Sequence, residues 1–330
     1  MTLAVTYSRA GDPADTLQVS DVDPPPPPGR GEIQVQVSAF PIHPGDLFTI
    51  SAAPPGSGET SRAGLEATGT VRDVGAAVTG IVPGTRVTFF PHPGSWAQVV
   101  NIPADLAVTV PDELSDEVAA QLVCNPVTAL LLHRAARQHF SIGFDGLIVN
   151  NAAASSVGRL VTAYAVDHQI ASVNVVRSAE RARQLSRETP AVPVVSTDTS
   201  GWPEKVREAA HGRPITAIVD PVGGQIGSDL FTLLAPEGTL ITYGQLSGES
   251  VSLDPAVLMS GSGQRGLTIG RWLSATSPEQ RASDAAAAVD LVLAHQHLLQ
   301  PAAVYPINEL TTAVQRVSAP GKVGTVVIRI

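Results

Sequence analysis

The sequence predicts an α/β chain in which a doubly wound parallel sheet is joined to a β-rich domain. Three observations carry that expectation. Before about Glu117, short strand patterns are broken by Gly and Pro, the punctuation of β structure. From Leu147 onward strands alternate with helical segments, which builds a parallel sheet with helices on both faces. The stretch Leu147–Arg177 reads as a short apolar strand, a turn of small residues, a helix and a second strand, the sequence form of a nucleotide cradle.

Composition bounds the rest. A chain of 330 residues is long enough for two domains, and 43% hydrophobic with 15% charged residues describes a globular core. A net charge of -9 argues against nucleic acid or an anionic membrane as main partner, since both select basic surfaces. The single cysteine, Cys124, rules out an intrachain disulfide and a four-cysteine zinc lobe, and suits a reducing cytoplasm. No basic segment leads into an apolar run at the N-terminus, and charged residues interrupt every long apolar stretch. Neither a signal peptide nor a membrane span is expected.

In chain order, the first domain is expected to hold strands at Ile33–Val37, Ala67–Val74, Arg86–Phe90 and Ala97–Val100. Pro24–Pro28 cannot join a sheet and predicts an extended connector. The pattern turns helical from Ser115 to Arg137, with Asn125-Pro126 expected to interrupt it and mark a hinge. After the cradle come a helix at Ala179–Glu188, a strand at Val192–Val195 and a helix at Pro203–His211. A strand at Ala217–Asp220, a helix at Ser228–Leu234 and a strand at Thr239–Tyr243 follow. One more strand, Leu267–Ile269, leads to Arg271-Trp272 and a long helix at Pro278–Leu298. The end carries a short helix and a terminal strand, Gly324–Ile330, without another βαβ unit. The expected boundaries are 1–122 for the β-rich domain, 123–265 for the nucleotide-binding domain and 266–330 for a return to the first.

Within the cradle, Gly158 fixes the spacing. Counting back through G-x-G-x-x-G puts the first two glycine positions on Ala153 and Ser155, both small enough for a tight turn and close approach of a diphosphate. The anion is expected on the helix N-terminus at Ser155, Ser156, Val157 and Gly158, where unpaired N–H groups and the helix dipole favour negative charge. The residue after the second strand is Arg177, where a site for NAD carries a carboxylate on the ribose. An arginine there forms a bidentate pair with a 2′-phosphate, so the expected cofactor is NADPH, with Arg181 and Arg183 as helpers. Ligands of such sheets bind beyond the carboxyl ends of the strands, which groups Asn150, Arg177, Asp220–Gly223 and Tyr243-Gly244 around one crevice.

Several segments then resemble the medium-chain dehydrogenase/reductase family, in particular its zinc-independent 2-enoyl thioester reductase branch. Pro41-Ile42-His43-Pro44-Gly45-Asp46 resembles P-I-N-P-S-D, Gly64-Leu65-Glu66-Ala67-Thr68-Gly69 resembles G-x-E-x-x-G, and Asn125-Pro126-Val127-Thr128-Ala129 is similar to N-P-x-T-A. Asn150–Gly158 resembles the branch's N-A-x-N-S-x-V-G turn, and Val175-Val176-Arg177 the strand end before its NADP-binding arginine. Thr242-Tyr243-Gly244 and Gly270-Arg271-Trp272-Leu273 resemble T-Y-G-G and G-F-W-L. The resemblance implies a GroES-like β-domain and a Rossmann domain with the cofactor between them. It implies that Asn125 and Thr128 approach the nicotinamide half, that Tyr243, Gly244 and Trp272 line the nicotinamide and substrate side, and that Lys322 closes from the C-terminal segment. Family habit implies a homodimer.

Two departures shape the expected chemistry. The zinc-using relatives need cysteine, histidine and a third ligand, and here the histidine position is Leu65; His43 and Cys124 alone fall near ligand positions, so no metal is expected. The tyrosine that the enoyl reductases use to polarise the carbonyl or help deliver a proton falls on Pro54. No catalytic residue is therefore carried over, and His43, Asp46 and Trp272 are the candidate pocket groups. The expected activity is NADPH-dependent, zinc-free reduction of an activated C=C bond in a small molecule, a 2-enoyl thioester or another α,β-unsaturated carbonyl. A quinone or alkenal reductase on the same scaffold and a non-catalytic NADPH-binding protein are the alternatives.

Overall fold

The structure, a computed structural model, describes residues 1–52, 60–138, 146–319 and 321–330. The chain divides into two compact units: Met1–Cys124 with Ser277–Ile330, and Asn125–Thr276. The second unit runs on to Thr276 instead of ending at 265, because the helix Ile269–Ala275 follows that point.

The first unit is built on one long strand, Glu32–Ile42. Its apolar side chains Ile33, Val35, Val37, Phe40 and Ile42 are buried, each worth about 1.5–3 kcal/mol against exposure. It pairs antiparallel with Ala67–Val74 and with Val99–Pro103, and its far end takes the terminal strand Val326–Arg329. The C-terminal segment thus completes the sheet of the first unit. A strand that the sequence pattern does not flag, Ala303–Pro306, pairs parallel with Val326–Arg329. The proline run forms no strand; the Pro26 carbonyl accepts from the amides of Gln34 and Asn101, which pin it along the sheet.

In the second unit six parallel strands lie in the order Val194–Ser196, Ser172–Val176, Leu147–Asn151, Ile215–Asp220, Thr239–Thr242 and Gly263–Gly266. This is the doubly wound Rossmann order, which reverses direction between Leu147–Asn151 and Ile215–Asp220. Strands buried on both faces are mainly apolar, and Leu147, Val149, Val173, Val175, Ile218 and Leu240 form the core.

Three local expectations are corrected. Asn125-Pro126 does not interrupt a helix: the break falls between the helices Asp116–Ala119 and Cys124–Arg137, and Pro126 sits in the second helix's first turn, where its missing N–H leaves no bond unmade. The sixth strand is Gly263–Gly266 and not Leu267–Ile269. Its sequence, Gly-Gln-Arg-Gly, has no strand propensity, and its place comes from pairing with Thr239–Thr242. Trp272 then lies in a helix, Ile269–Ala275, that Thr268 caps. The long helix ends at Ala294.

Candidate active site

Each unit carries its own set of functional side chains. In the first, the long strand ends at Ile42 and delivers His43 to the N-cap of the helix Pro44–Ser51. Asp46, in that helix's first turn, accepts from the His43 backbone N–H at 2.9 Å, which fixes the loop. Glu66 arrives from the opposite side. Gly64, at φ +89°, crosses the face of Trp96 so closely that a Cβ would stand 2.0 Å from the indole Cδ1, so only glycine lets the chain turn here into the interior. Trp96 is itself stacked on Phe40, with ring centroids 5.1 Å apart.

Glu66 is fully buried, and both its oxygens are engaged. Oε2 meets His43 Nε2 at 2.6 Å, while Oε1 accepts from the backbone N–H groups of Val123 and Cys124, each at 2.9 Å. Burial opposes charge on His43, but the hydrogen bond to Glu66 and the charges of Glu66 and Asp46 outweigh it and raise the imidazole pKa above 6.5; Lys322 works against them. The His43 side chain keeps 11% of its surface in contact with solvent, whereas that of Glu66 keeps none. Burial lifts the Asp46 carboxyl to about 6, despite the favourable charge of His43. Burial and the neighbouring Glu66 and Asp46 push the Cys124 thiol well up, so it is held as a thiol. Lys322 donates to the Gly324 carbonyl at 3.2 Å, and burial and Arg316 lower its pKa.

In the second unit, the turn after Leu147–Asn151 places its one strained residue at Ala152, with φ 53°. The spacing puts the tight turn at Ala153 and Ser155; instead the Asn151 side chain accepts from the Ala152 N–H at 2.8 Å and holds the turn one residue earlier. Ser155 caps the helix Ser156–Asp167, accepting from Gly158 N–H at 3.0 Å. A Cβ on Gly158 would meet the Ala152 carbonyl at 2.6 Å, so glycine lets the helix start lie against the turn. Val157 lies in that helix's first turn. Arg177 is exposed directly after Ser172–Val176, and among the described residues makes no hydrogen bond or ion pair. Arg181 bonds Gln184, and Arg183 lies near Asp198.

Tyr243 follows the fifth strand. Its hydroxyl is shut away from solvent and completes no hydrogen bond among the described residues; burial raises the phenol pKa, with the Ser155 side chain close enough to oppose it. Gly244 passes the Pro221 carbonyl with no room for a Cβ, which would stand at 2.9 Å. Asn125 and Thr128 lie in the first turns of the helix Cys124–Arg137, and Trp272 is buried in Ile269–Ala275. Tyr243, Gly244 and the Ser155 turn therefore share one neighbourhood. Lys322 belongs with His43 in the other unit. Pro54, the tyrosine position, lies outside the described residues.

Residues 29–112 match the family model of the alcohol dehydrogenase GroES-like domain, and residues 156–287 that of the zinc-binding dehydrogenases. The chain belongs to the medium-chain dehydrogenase/reductase superfamily. Within that superfamily it is 28% identical to a mitochondrial enoyl-[acyl-carrier-protein] reductase of Dictyostelium discoideum over 90% of this chain and 86% of the relative. It is 27% identical to a quinone oxidoreductase of Salmonella typhimurium over 78% of this chain and 77% of that one. A mycobacterial protein solved in complex with NADPH matches with a TM-score of 0.85 at 27% identity, over 100% of both chains.

The zinc in one superfamily description can be tested on the donors present. His43 Nε2, a Glu66 oxygen and Cys124 Sγ all lie within 4.8 Å of one another. Tetrahedral zinc with bonds of about 2.0–2.2 Å to nitrogen and oxygen holds those atoms roughly 3.3 Å apart. At 2.6 Å, His43 and Glu66 share a proton. The other carboxylate oxygen already serves two backbone donors, and the thiol keeps its proton. As built, this donor set fits a proton and not zinc.

Sequence reading misses Glu66 as a site residue, although it stands inside the Gly64–Gly69 motif; the available signal is a lone acidic residue entering an apolar strand. If Glu66 holds the His43 proton, Glu66→Gln should drop the His43 pKa below 6.5, because desolvation then loses its main opponent. A folded-state pKa raised for histidine adds stability that is present below 6.5 and lost as pH rises through the folded value. The variant should lose that low-pH contribution. An NMR titration of the His43 ring measures the shift, and an unchanged titration would refute the pairing.

Proposed function

We propose that this chain is an NADPH-dependent reductase of activated C=C bonds in small α,β-unsaturated carbonyl compounds, 2-enoyl thioesters among them. The coarse activity, NADPH-dependent oxidoreductase, is supported by relatives named as an enoyl reductase and a quinone oxidoreductase and by the neighbour solved with NADPH. The observation that carries the finer reading is the 2.6 Å bond between His43 and Glu66, a buried, proton-bearing pair whose imidazole still reaches solvent.

The turn fits the cofactor: Gly158 lets the helix start lie against the turn at the strand end, and among the described residues the buried Tyr243 hydroxyl completes no hydrogen bond. Ser155, Ser156, Val157 and Gly158 would hold the diphosphate and Arg177 the 2′-phosphate. By the family resemblance, Asn125, Thr128, Tyr243, Gly244 and Trp272 would face the nicotinamide half, and Lys322 would close over it. When bound, NADPH supplies a hydride to the electron-poor β-carbon. The α-carbon then needs a proton, and the His43 imidazolium, kept charged by Glu66, can release one. Solvent restores the proton, so the balance is one hydride and one proton added across the C=C bond. Asp46 holds the His43 backbone during this exchange.

Quinones and alkenals form the second substrate class. The Salmonella relative and the absence of a tyrosine near Pro54 in the sequence favour electrophiles that need little acid catalysis. No metal is assigned, on the donor geometry given above. Among the described residues no helix is long and apolar enough to cross a membrane, and we place the protein in the cytoplasm on its cysteine usage. Among the described residues the edge strand Gly263–Gly266 has a neighbour on one side only, with Met259 exposed nearby. Such an edge can pair with a second copy, so light scattering should give a homodimer; a monomer at working concentration would remove that assignment.

Arg177→Asp should weaken NADPH far more than NADH, by roughly 2 kcal/mol or more, because it removes a charge-assisted phosphate contact and adds repulsion. Equal losses for both cofactors in a titration would sink the 2′-phosphate assignment. In turnover assays with NADPH, chelator-treated protein should reduce an enone or a quinone faster than crotonyl thioester. A tyrosine normally lends about 10²-fold or more in acid or carbonyl-polarising help to the less activated substrate. No oxidation of NADPH with any of the three would leave a binding protein, and loss of activity on chelation would restore a metal.

A further inference from the structure

The parallel sheet reverses its winding between Leu147–Asn151 and Ile215–Asp220, and one side-chain bond spans the carboxyl ends of those two strands. Asn151 Nδ2 donates to Asp220 Oδ1 at 2.8 Å. Both residues are buried, Asp220 completely. The remaining capacity of each goes to a turn. Asn151 Oδ1 accepts from Ala152 N–H at 2.8 Å, holding that residue at φ 53°. Asp220 Oδ1 also accepts from Val222 N–H at 2.8 Å and Oδ2 from Gly223 N–H at 3.1 Å, where the chain turns through the positive-φ residues Gly223 and Gly224. Gly227 completes the fit, since a Cβ there would stand 2.7 Å from Asp220 Oδ2.

We infer that Asp220 and Asn151 form a latch that pre-sets the diphosphate turn, making Asp220 a positioning residue for the cofactor. The inference rests on the NADPH reading above. A carboxylate beside a site for an anion is unfavourable by charge alone, so its value lies in geometry. It supplies acceptors to three N–H donors at once, which no neutral side chain of its size can do. Ala152 bears a steric penalty in the left-handed region that an unaided alanine would relieve by flipping. With the latch closed, the turn meets its ligand already shaped, and binding does not have to order it.

The test is NADPH titration by its fluorescence, with thermal unfolding recorded for each protein. Asn151→Ala should raise the NADPH Kd by about tenfold, the size of one buried hydrogen bond. The loss should fall on KM for NADPH more than on kcat at saturating cofactor. Adding Ala152→Gly to Asn151→Ala should recover most of the affinity, because glycine adopts the positive φ without the clamp. In the exchange pair, Asn151→Asp alone sets two carboxylates against each other and should bind NADPH worse still. Asp220→Asn in the same chain removes that repulsion and should recover part of the affinity, short of the unmodified protein because the amide leaves one of the Val222 and Gly223 N–H groups without an acceptor. The latch is overturned if Asn151→Ala binds NADPH within twofold of the unmodified protein, or if neither second change restores affinity in variants that unfold at the unmodified temperature. Failure of the unmodified protein itself to bind NADPH would strike the cofactor reading instead.

Discussion

Glu66 cannot be buried without donors, and the first unit is arranged to give it three. Withdrawing a carboxylate from water costs on the order of several kcal/mol unless its acceptors are filled. Here they are filled by His43 Nε2–H and by two backbone N–H groups at Val123 and Cys124. The position of Gly64 against Trp96, the end of the long strand at Ile42 and the start of the helix at Cys124 all meet the same requirement. The result is a proton fixed between two side chains, on an imidazole that still reaches solvent.

The second unit repeats the device with Asp220. That carboxylate also directs its acceptors to its own chain, to Asn151 and to the Val222 and Gly223 N–H groups. Among the described residues, neither acid bonds a cation other than the His43 imidazolium. Charge in this chain therefore serves shape: one carboxylate orients an acid, the other a turn. Arg177, exposed after Ser172–Val176, makes no hydrogen bond or ion pair among the described residues.

Much of this architecture is legible in the amino-acid sequence. The alternation of strands and helices after Leu147 announces the parallel sheet, because buried parallel strands are mainly apolar and their crossings are helical. The small residues from Asn150 to Gly158 mark the turn between the strand Leu147–Asn151 and the helix Ser156–Asp167 through local chemistry alone. What escapes a sequence reading is set by partners distant along the chain. Gly263–Gly266 is a strand only because Thr239–Thr242 offers it a ladder. The positive φ falls on Ala152 because Asn151 bonds its N–H and Asp220 holds Asn151, a contact across 69 positions. Glu66 gains its role from residues 23 and 57 positions away, beyond the reach of any periodicity.

The central claim is that the His43 imidazolium, kept charged by Glu66, supplies the proton that reduction consumes. The most direct measurement is the pH dependence of kcat/KM for an enone at saturating NADPH, compared between the unmodified protein and Glu66→Gln. An acid that must be protonated loses activity as pH rises through its pKa, so the unmodified protein should show a falling limb above 6.5. In the variant that limb should move to lower pH along with the His43 titration. Profiles that superimpose would contradict the account, because the proton used in turnover would then come from elsewhere.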